Sequence, residues 1–155
     1  MIPDIETQSI TDIENFQNML LQKHMTYLME RSPFYQRKFK AENIQIDTIK
    51  TIQDLQKISV TTKADLQLHN QDFFCVDKTE IRDYATTSGT LGDPVTFGLT
   101  DNDLERLANN ELLSFQCAGV QKGDLVQLMT TMDRRFMAGL AYFLGLRKLG
   151  AGIVR

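Results

Sequence analysis

With 155 residues, 42% of them hydrophobic and 24% charged, the chain has the make-up of one ordinary globular domain, long enough to bury a core without disulfide or metal staples. The 17 basic and 20 acidic side chains leave a net charge of -3, which weighs against a dedicated nucleic-acid binder. Two distant cysteines and two histidines supply too few ligands for a thiol–imidazole zinc site.

The first residues, Met1 to Glu6, are acidic and lack a basic and a long apolar stretch, so no secretory leader and a cytoplasmic location are expected. Thr11-Asp-Ile-Glu14 reads as a capping box opening a long helix, with Ile13, Phe16, Leu20, Tyr27 and Leu28 on one apolar face. Ser32-Pro33 ends it and starts a second helix over about Phe34 to Ala41. Ile52 to Lys57 after Thr51, and Lys63 to Leu68 after Thr62, are two short helices with local cap signals. Residues 1–79 form a helical N-terminal region.

From residue 80 to 155 the character changes. Ile81 to Thr87 and Val95 to Leu99 are β-prone and enclose Ser88-Gly-Thr-Leu-Gly-Asp-Pro94, which predicts strand, tight loop, strand. Thr100 caps a helix over Asp101 to about Gln116, with Leu104, Leu107, Ala108, Leu112 and Phe115 on one face and Gly119 and Gly123 in the turn beyond. Leu125 to Thr130 is a strand, Arg134 to Leu149 a helix apolar on nearly every side, and Gly152 to Arg155 another strand. That order makes a parallel unit, expected to cross over right-handed. The run Phe136 to Leu146 is far short of the roughly 20 residues that cross a bilayer, so it is a buried helix and no membrane partner is expected. Because the last strand begins only as the chain ends, the sequence reads as the first part of a larger α/β protein.

The chemistry lies in Thr86-Thr-Ser-Gly-Thr-Leu-Gly92. Phosphate oxygens need many donors converging from one side, and small residues let backbone amides approach closely. Thr86, Thr87, Ser88 and Thr90 offer hydroxyls, while Gly89 and Gly92 can turn amides inward. The segment lacks the Gly-Lys-[Ser/Thr] of a Walker A loop and the Gly-x-Gly-x-x-Gly of a dinucleotide fingerprint. Read from its residues alone it is either a polyanion cup or a Gly/Thr-rich hairpin turn.

Thr87 to Pro94 resembles the phosphate-binding signature of the AMP-forming adenylate enzymes, Thr-Ser-Gly-Thr-Thr-Gly-Lys-Pro, matching six of eight positions. Arg31-Ser-Pro-Phe-Tyr35 with Lys38-Phe39, and Phe136 to Val154 with Gly139, Gly145 and Leu149-Gly-Ala151, are similar to the phenylacetate-CoA ligase branch of that superfamily. The resemblance implies an α/β fold: a helical N-terminal region, a β-hairpin carrying the phosphate loop, and the start of a parallel sheet, together part of the superfamily's large domain. It implies an ATP-dependent ligase of an aryl or acyl carboxylate, with Mg2+ and CoA as further cofactors of the full-length enzyme. Thr87, Ser88, Gly89, Thr90 and Gly92, with Thr86 as a weaker addition, are the implied triphosphate contacts. No residue is assigned as a catalytic group or metal ligand, and this chain by itself is not expected to turn over.

Two positions depart from the signature. Asp93 stands where the family has lysine, and Leu91 where it has a second threonine; the first repels a triphosphate and the second removes a donor. They keep open two other readings, a nucleotide- or anion-binding module without catalysis and a structural α/β interaction domain. The cluster Arg31, Arg37, Lys38 and Lys40 reads as a solvated helix face ahead of a CoA or partner contact. Arg134-Arg135, just past a strand's carboxyl end, is a candidate anion contact. Cys75, Cys117 and Met129, Met132 and Met137 read as fillers of the core. An interrupted sheet leaves apolar surface, so self-association into a homo-oligomer is expected.

Overall fold

The structure is a computed structural model that describes residues 4–87, 94–133 and 135–155. The chain divides into two compact units, Met1–Val76 and Asp77–Arg155.

The first unit is helical. Helix α1 (Ile10–Arg31) is followed after one residue by α2 (Pro33–Ala41), then by short 3-10 turns and the single-turn helix α3 (Lys63–Leu68). The cap of α1 is Ser9 rather than Thr11: the Ser9 hydroxyl accepts from the Asp12 amide and also bonds the Asp12 carboxylate. Ser9-Ile-Thr-Asp12 has the same spacing as Thr11 to Glu14, and starting there adds two residues to the helix. The predicted apolar stripe is also only half right. Leu21 and Met25 are the buried positions and Leu28 packs beside them, whereas Phe16, Leu20 and Tyr27 stay exposed. Helix α1 carries two candidate stripes, and the choice falls to the one that meets Phe39 of α2 and Ile49, each 1% exposed.

At the junction of α1 and α2, Ser32 is fully buried. Its amide donates to the Leu28 carbonyl, its hydroxyl accepts from the Tyr35 amide and donates to the Asp72 carbonyl, and its own carbonyl accepts from Gln36. Pro33 takes the first helical position, where a missing N–H costs nothing. Phe34 stacks on Phe73 at 4.1 Å, with Tyr35 edge-on to both.

Capping boxes recur at Thr51 with Asp54, Thr62 with Asp65, and Asp77 with Glu80. Hydrogen bonds from the Lys57 ammonium and then from the Thr51 and Lys50 amides hold the Asp54 carboxyl far below its ordinary range. The Thr62 hydroxyl and amide lower Asp65, and the Ser59 hydroxyl, against some desolvation, lowers Glu42. A carboxylate whose folded pKa lies below its unfolded one binds fewer protons folded than unfolded. Its contribution is therefore complete above the unfolded value near ~4 and is lost as pH falls through the folded value. The urea midpoint of the first unit should accordingly be lower at pH 3 than at pH 7. Asp54→Asn should lower the pH 7 midpoint and flatten that acid-side slope; an unchanged slope would show that these caps carry no linkage.

The second unit opens with an antiparallel hairpin, β1 (Ile81–Thr86) and β2 (Thr96–Thr100), paired from Thr86↔Thr96 back to Ile81↔Thr100 with a bulge between Ile81 and Asp83. Ala85, Val95 and Leu99 are its buried positions. Strand β2 runs directly into α4 (Asp101–Cys117), whose N-cap Thr100 and Asp103 form another reciprocal box. The predicted face of α4 is the covered one, and Gly119 and Gly123, both at positive φ, make the turn beyond it. Strands β3 (Leu125–Gln127) and β4 (Gly152–Val154) pair in parallel on either side of α5 (Met137–Leu149). Strand β3 is shorter than predicted: it pairs with β4 over Leu125 to Gln127, and Leu128 donates one more bond, to Val154.

Helices α4 and α5 approach closely. A Cβ on Gly145 would stand 2.4 Å from the Glu111 Cβ, Phe115 meets Tyr142 edge-on at 5.9 Å, and Lys148 pairs with Glu105. The core expectation fails for several side chains: Cys117 is exposed and Cys75 half-buried. Met129 is 86% exposed, and Leu125 and Val154 are exposed as well, at 75% and 45%. No helix among the described residues is long and apolar enough to cross a membrane.

Candidate phosphate-binding site

Four of the six implied contacts, Ser88, Gly89, Thr90 and Gly92, lie outside the described residues, as do Asp93 and Leu91. Thr86 and Thr87 are placed at the neck of the hairpin, where β1 ends. The Thr87 amide donates to the Val95 carbonyl at 3.0 Å, and the Val95 amide donates to Thr87 Oγ1 at 3.0 Å. A side-chain oxygen thus takes the place of a backbone acceptor and closes the neck two-sidedly. An accepting hydroxyl keeps its own proton, so Thr87 can still donate to an anion. Val95 is 1% exposed, and burial on that side fixes the neck from below.

Thr86 is turned differently. Its amide donates to the Arg135 carbonyl at 3.1 Å, so this N–H is already committed and any contact from Thr86 to phosphate would come from its hydroxyl. That bond joins the end of β1 to the connection between β3 and α5. Arg135 has φ 60°, a left-handed conformation that costs a residue with a Cβ about 1–2 kcal/mol. It also explains why α5 starts at Met137 and not at Arg134: the helical path cannot pass through a left-handed residue. Arg134 itself lies outside the described residues. On the other side of the connection Gly139 packs against Thr131 so tightly that a Cβ would stand 2.1 Å from the Thr131 carbonyl oxygen.

The other candidates separate. Arg37 pairs with Asp72 at 2.6 Å, and Lys38 pairs with Glu42 at 3.1 Å and donates to Ser59 at 2.6 Å, so half of the basic cluster serves the fold of the first unit. Among the described residues no group of three or more His, Cys, Asp or Glu gathers to hold a metal ion. The Thr86–Arg135 bond joins residues 49 apart in the chain and has no local signature. Gly139 did carry one: a glycine inside an otherwise apolar helix marks a close backbone approach.

No known protein-family profile matches the chain. Phenylacetate-coenzyme A ligase of Escherichia coli (strain K12) is 31% identical over 151 residues, covering 97% of this chain and 34% of its own length. The open conformation of 2-hydroxyisobutyryl-CoA ligase, in complex with 2-HIB-AMP and CoA, matches 99% of this chain at a TM-score of 0.89 and 26% identity. Over nearly its whole length the chain is thus similar to the phenylacetate-CoA ligases and to a CoA ligase of the AMP-forming adenylate superfamily. The ligase of Thermus thermophilus agrees, at 29% identity over 153 residues and 98% of this chain. The chain spans about a third of the length of the curated relatives it matches and 36% of the 2-hydroxyisobutyryl-CoA ligase chain. It has the α/β architecture of a partial domain of these ligases.

Proposed function

We propose that the chain is the N-terminal part of an ATP-dependent, AMP-forming carboxylate–CoA ligase, and that residues 86–92 hold the ATP phosphates. The observation that carries this reading is the neck of the hairpin. Thr87 and Val95 lock it from both sides, so the hydroxyl- and glycine-rich segment between them begins and ends on a fixed base. In the reaction the family implies, a carboxylate oxygen attacks the α-phosphorus, pyrophosphate leaves, and the CoA thiol then displaces AMP. The segment would act on the β- and γ-phosphates by position and by N–H and O–H donors aimed at charge, without covalent participation. Thr87 contributes its hydroxyl proton; Thr86 contributes through its hydroxyl, since its amide is engaged. The described residues supply no carboxylate cluster for Mg2+. The acid is a small aryl or acyl carboxylate, and the cytoplasm, where ATP and CoA are available, is the proposed location.

Asp93 in the place of the family's lysine favours a second reading, a module that binds nucleotide without adenylation. Calorimetric titration of the chain with Mg-ATP should give measurable heat that Gly89→Val abolishes, since a Cβ with two further methyls at the signature's central glycine blocks close approach of phosphate to the backbone. No heat with the unaltered chain would refute phosphate binding. In a protein extended to the relatives' length, carboxylate-dependent pyrophosphate exchange separates ligation from simple binding.

A further inference from the structure

The connection from β3 to α5 breaks two local rules within six residues. Thr130 Oγ1 is buried with no hydrogen-bond partner among the described residues, and Arg135 is left-handed although it carries a Cβ. Such features persist only where their surroundings impose them, and they gather where a backbone must be aimed. Here the imposing contacts are visible at both ends: Gly139 of α5 against the Thr131 carbonyl, and the Thr86 amide on the Arg135 carbonyl.

The Thr86 amide is not needed for the hairpin. Thr86 faces Thr96 in the register, while the ladder bond at the neck runs from the Thr87 amide to Val95. Without Arg135 this N–H, at the last residue of β1, would have no acceptor from β2. An ordinary right-handed residue at 135 would point the peptide that follows it in another direction. We infer that Arg135 is a positioning residue whose left-handed backbone, and not its guanidinium, aims a carbonyl at the Thr86 amide and so fastens the exit of β1 to the β3–α5 connection. The end of β1 and that connection then move as one piece, and the hydroxyls of Thr86 and Thr87 keep a constant offset from it. The exposed Arg135 side chain is dispensable for this role.

The inference deepens the phosphate-holding reading and rests on it only for its nucleotide readout. Arg135→Gly and Arg135→Asn tolerate the left-handed region and delete the cation, whereas Arg135→Val opposes that region. Two measurements apply to all three: amide hydrogen exchange at Thr86 by NMR, and the Mg-ATP dissociation constant by calorimetry. In the valine variant, exchange at Thr86 should quicken by about tenfold, the equivalent of one ordinary hydrogen bond, and ATP should bind more weakly; exchange at Ala85 and Phe97, the neighbouring hydrogen-bonded pair of the ladder, should not change. The glycine and asparagine variants should match the unaltered chain in both. Arg135→Ala, a milder opponent of the same geometry, takes the place of valine if that variant fails to fold. Glycine as damaging as valine would assign the role to the guanidinium and overturn the inference, as would unchanged exchange at Thr86 in the valine variant. If the unaltered chain binds no Mg-ATP, the phosphate reading falls while the exchange comparison still decides the anchor.

Discussion

Gly139→Ala should destabilise the second unit by about 2 kcal/mol. An alanine in a helix gains about 1 kcal/mol over glycine, but the new Cβ would stand 2.1 Å from the Thr131 carbonyl oxygen and 2.9 Å from its carbon. Both neighbours are backbone, with no flexible end to swing aside, so the cost of overpacking belongs at the upper end, about 3 kcal/mol. The displaced segment is the one that delivers the Arg135 carbonyl to Thr86. Two consequences are therefore expected together: faster hydrogen exchange across peptides of Asp77–Arg155, read by mass spectrometry, and loss of protection at the end of β1. Peptides of the first unit should be unaffected. A variant with exchange equal to or slower than the unaltered chain would mean that α5 and the connection can part at no cost, and that the tight contact positions nothing. Gly145, where an added Cβ would stand 2.4 Å from the Glu111 Cβ, offers the same test at the α4–α5 contact, away from the candidate site.

The larger loss is expected from Phe39→Ala in the first unit. Phe39 is 1% exposed and packs with Leu21, Met25 and Ile49, ringed by Leu28, Tyr35, Ile44, Ile46 and Ile58. Deleting a buried phenyl ring costs roughly 3–5 kcal/mol, part from transfer and part from the cavity left behind. That is a large fraction of the 5–15 kcal/mol that ordinarily separates folded from unfolded domains. Thermal unfolding followed by circular dichroism should show an early transition in this variant, with exchange rising throughout Met1–Val76. A loss below about 1 kcal/mol would indicate that the loosely covered face of α1 can re-pack to fill the space.

What could be read in the sequence was what neighbours in the chain decide among themselves. Pro33 cannot extend α1 yet suits the first turn of α2; Thr62 and Thr100 each stand three residues before an aspartate; Ile, Tyr and Thr before a glycine-rich segment and Val, Thr and Phe after it make a hairpin. The parallel pairing of β3 and β4 followed from their order around α5. What could not be read was settled by distant partners. On α1 the stripe through Leu21, Met25 and Leu28 is apolar as well as the predicted one, and contact with Phe39 and Ile49 selected it. At the candidate site, the hydroxyl content and the glycine spacing of 86–92 were plain, but the engagement of the Thr86 amide by Arg135 depends on a left-handed turn that no residue type near 135 announces.

Ser32 sets a different kind of constraint. Its amide, carbonyl and hydroxyl all have partners, and those partners belong to the preceding helix, the following helix and the turn at Asp72. The bend between α1 and α2 is therefore a rivet and not a hinge. Either helix can lengthen or trade its outward side chains while the angle stays put. A larger residue at 32 has no room, and a smaller one undoes the attachments to Tyr35 and Asp72 in a single step, so the angle cannot be adjusted by degrees.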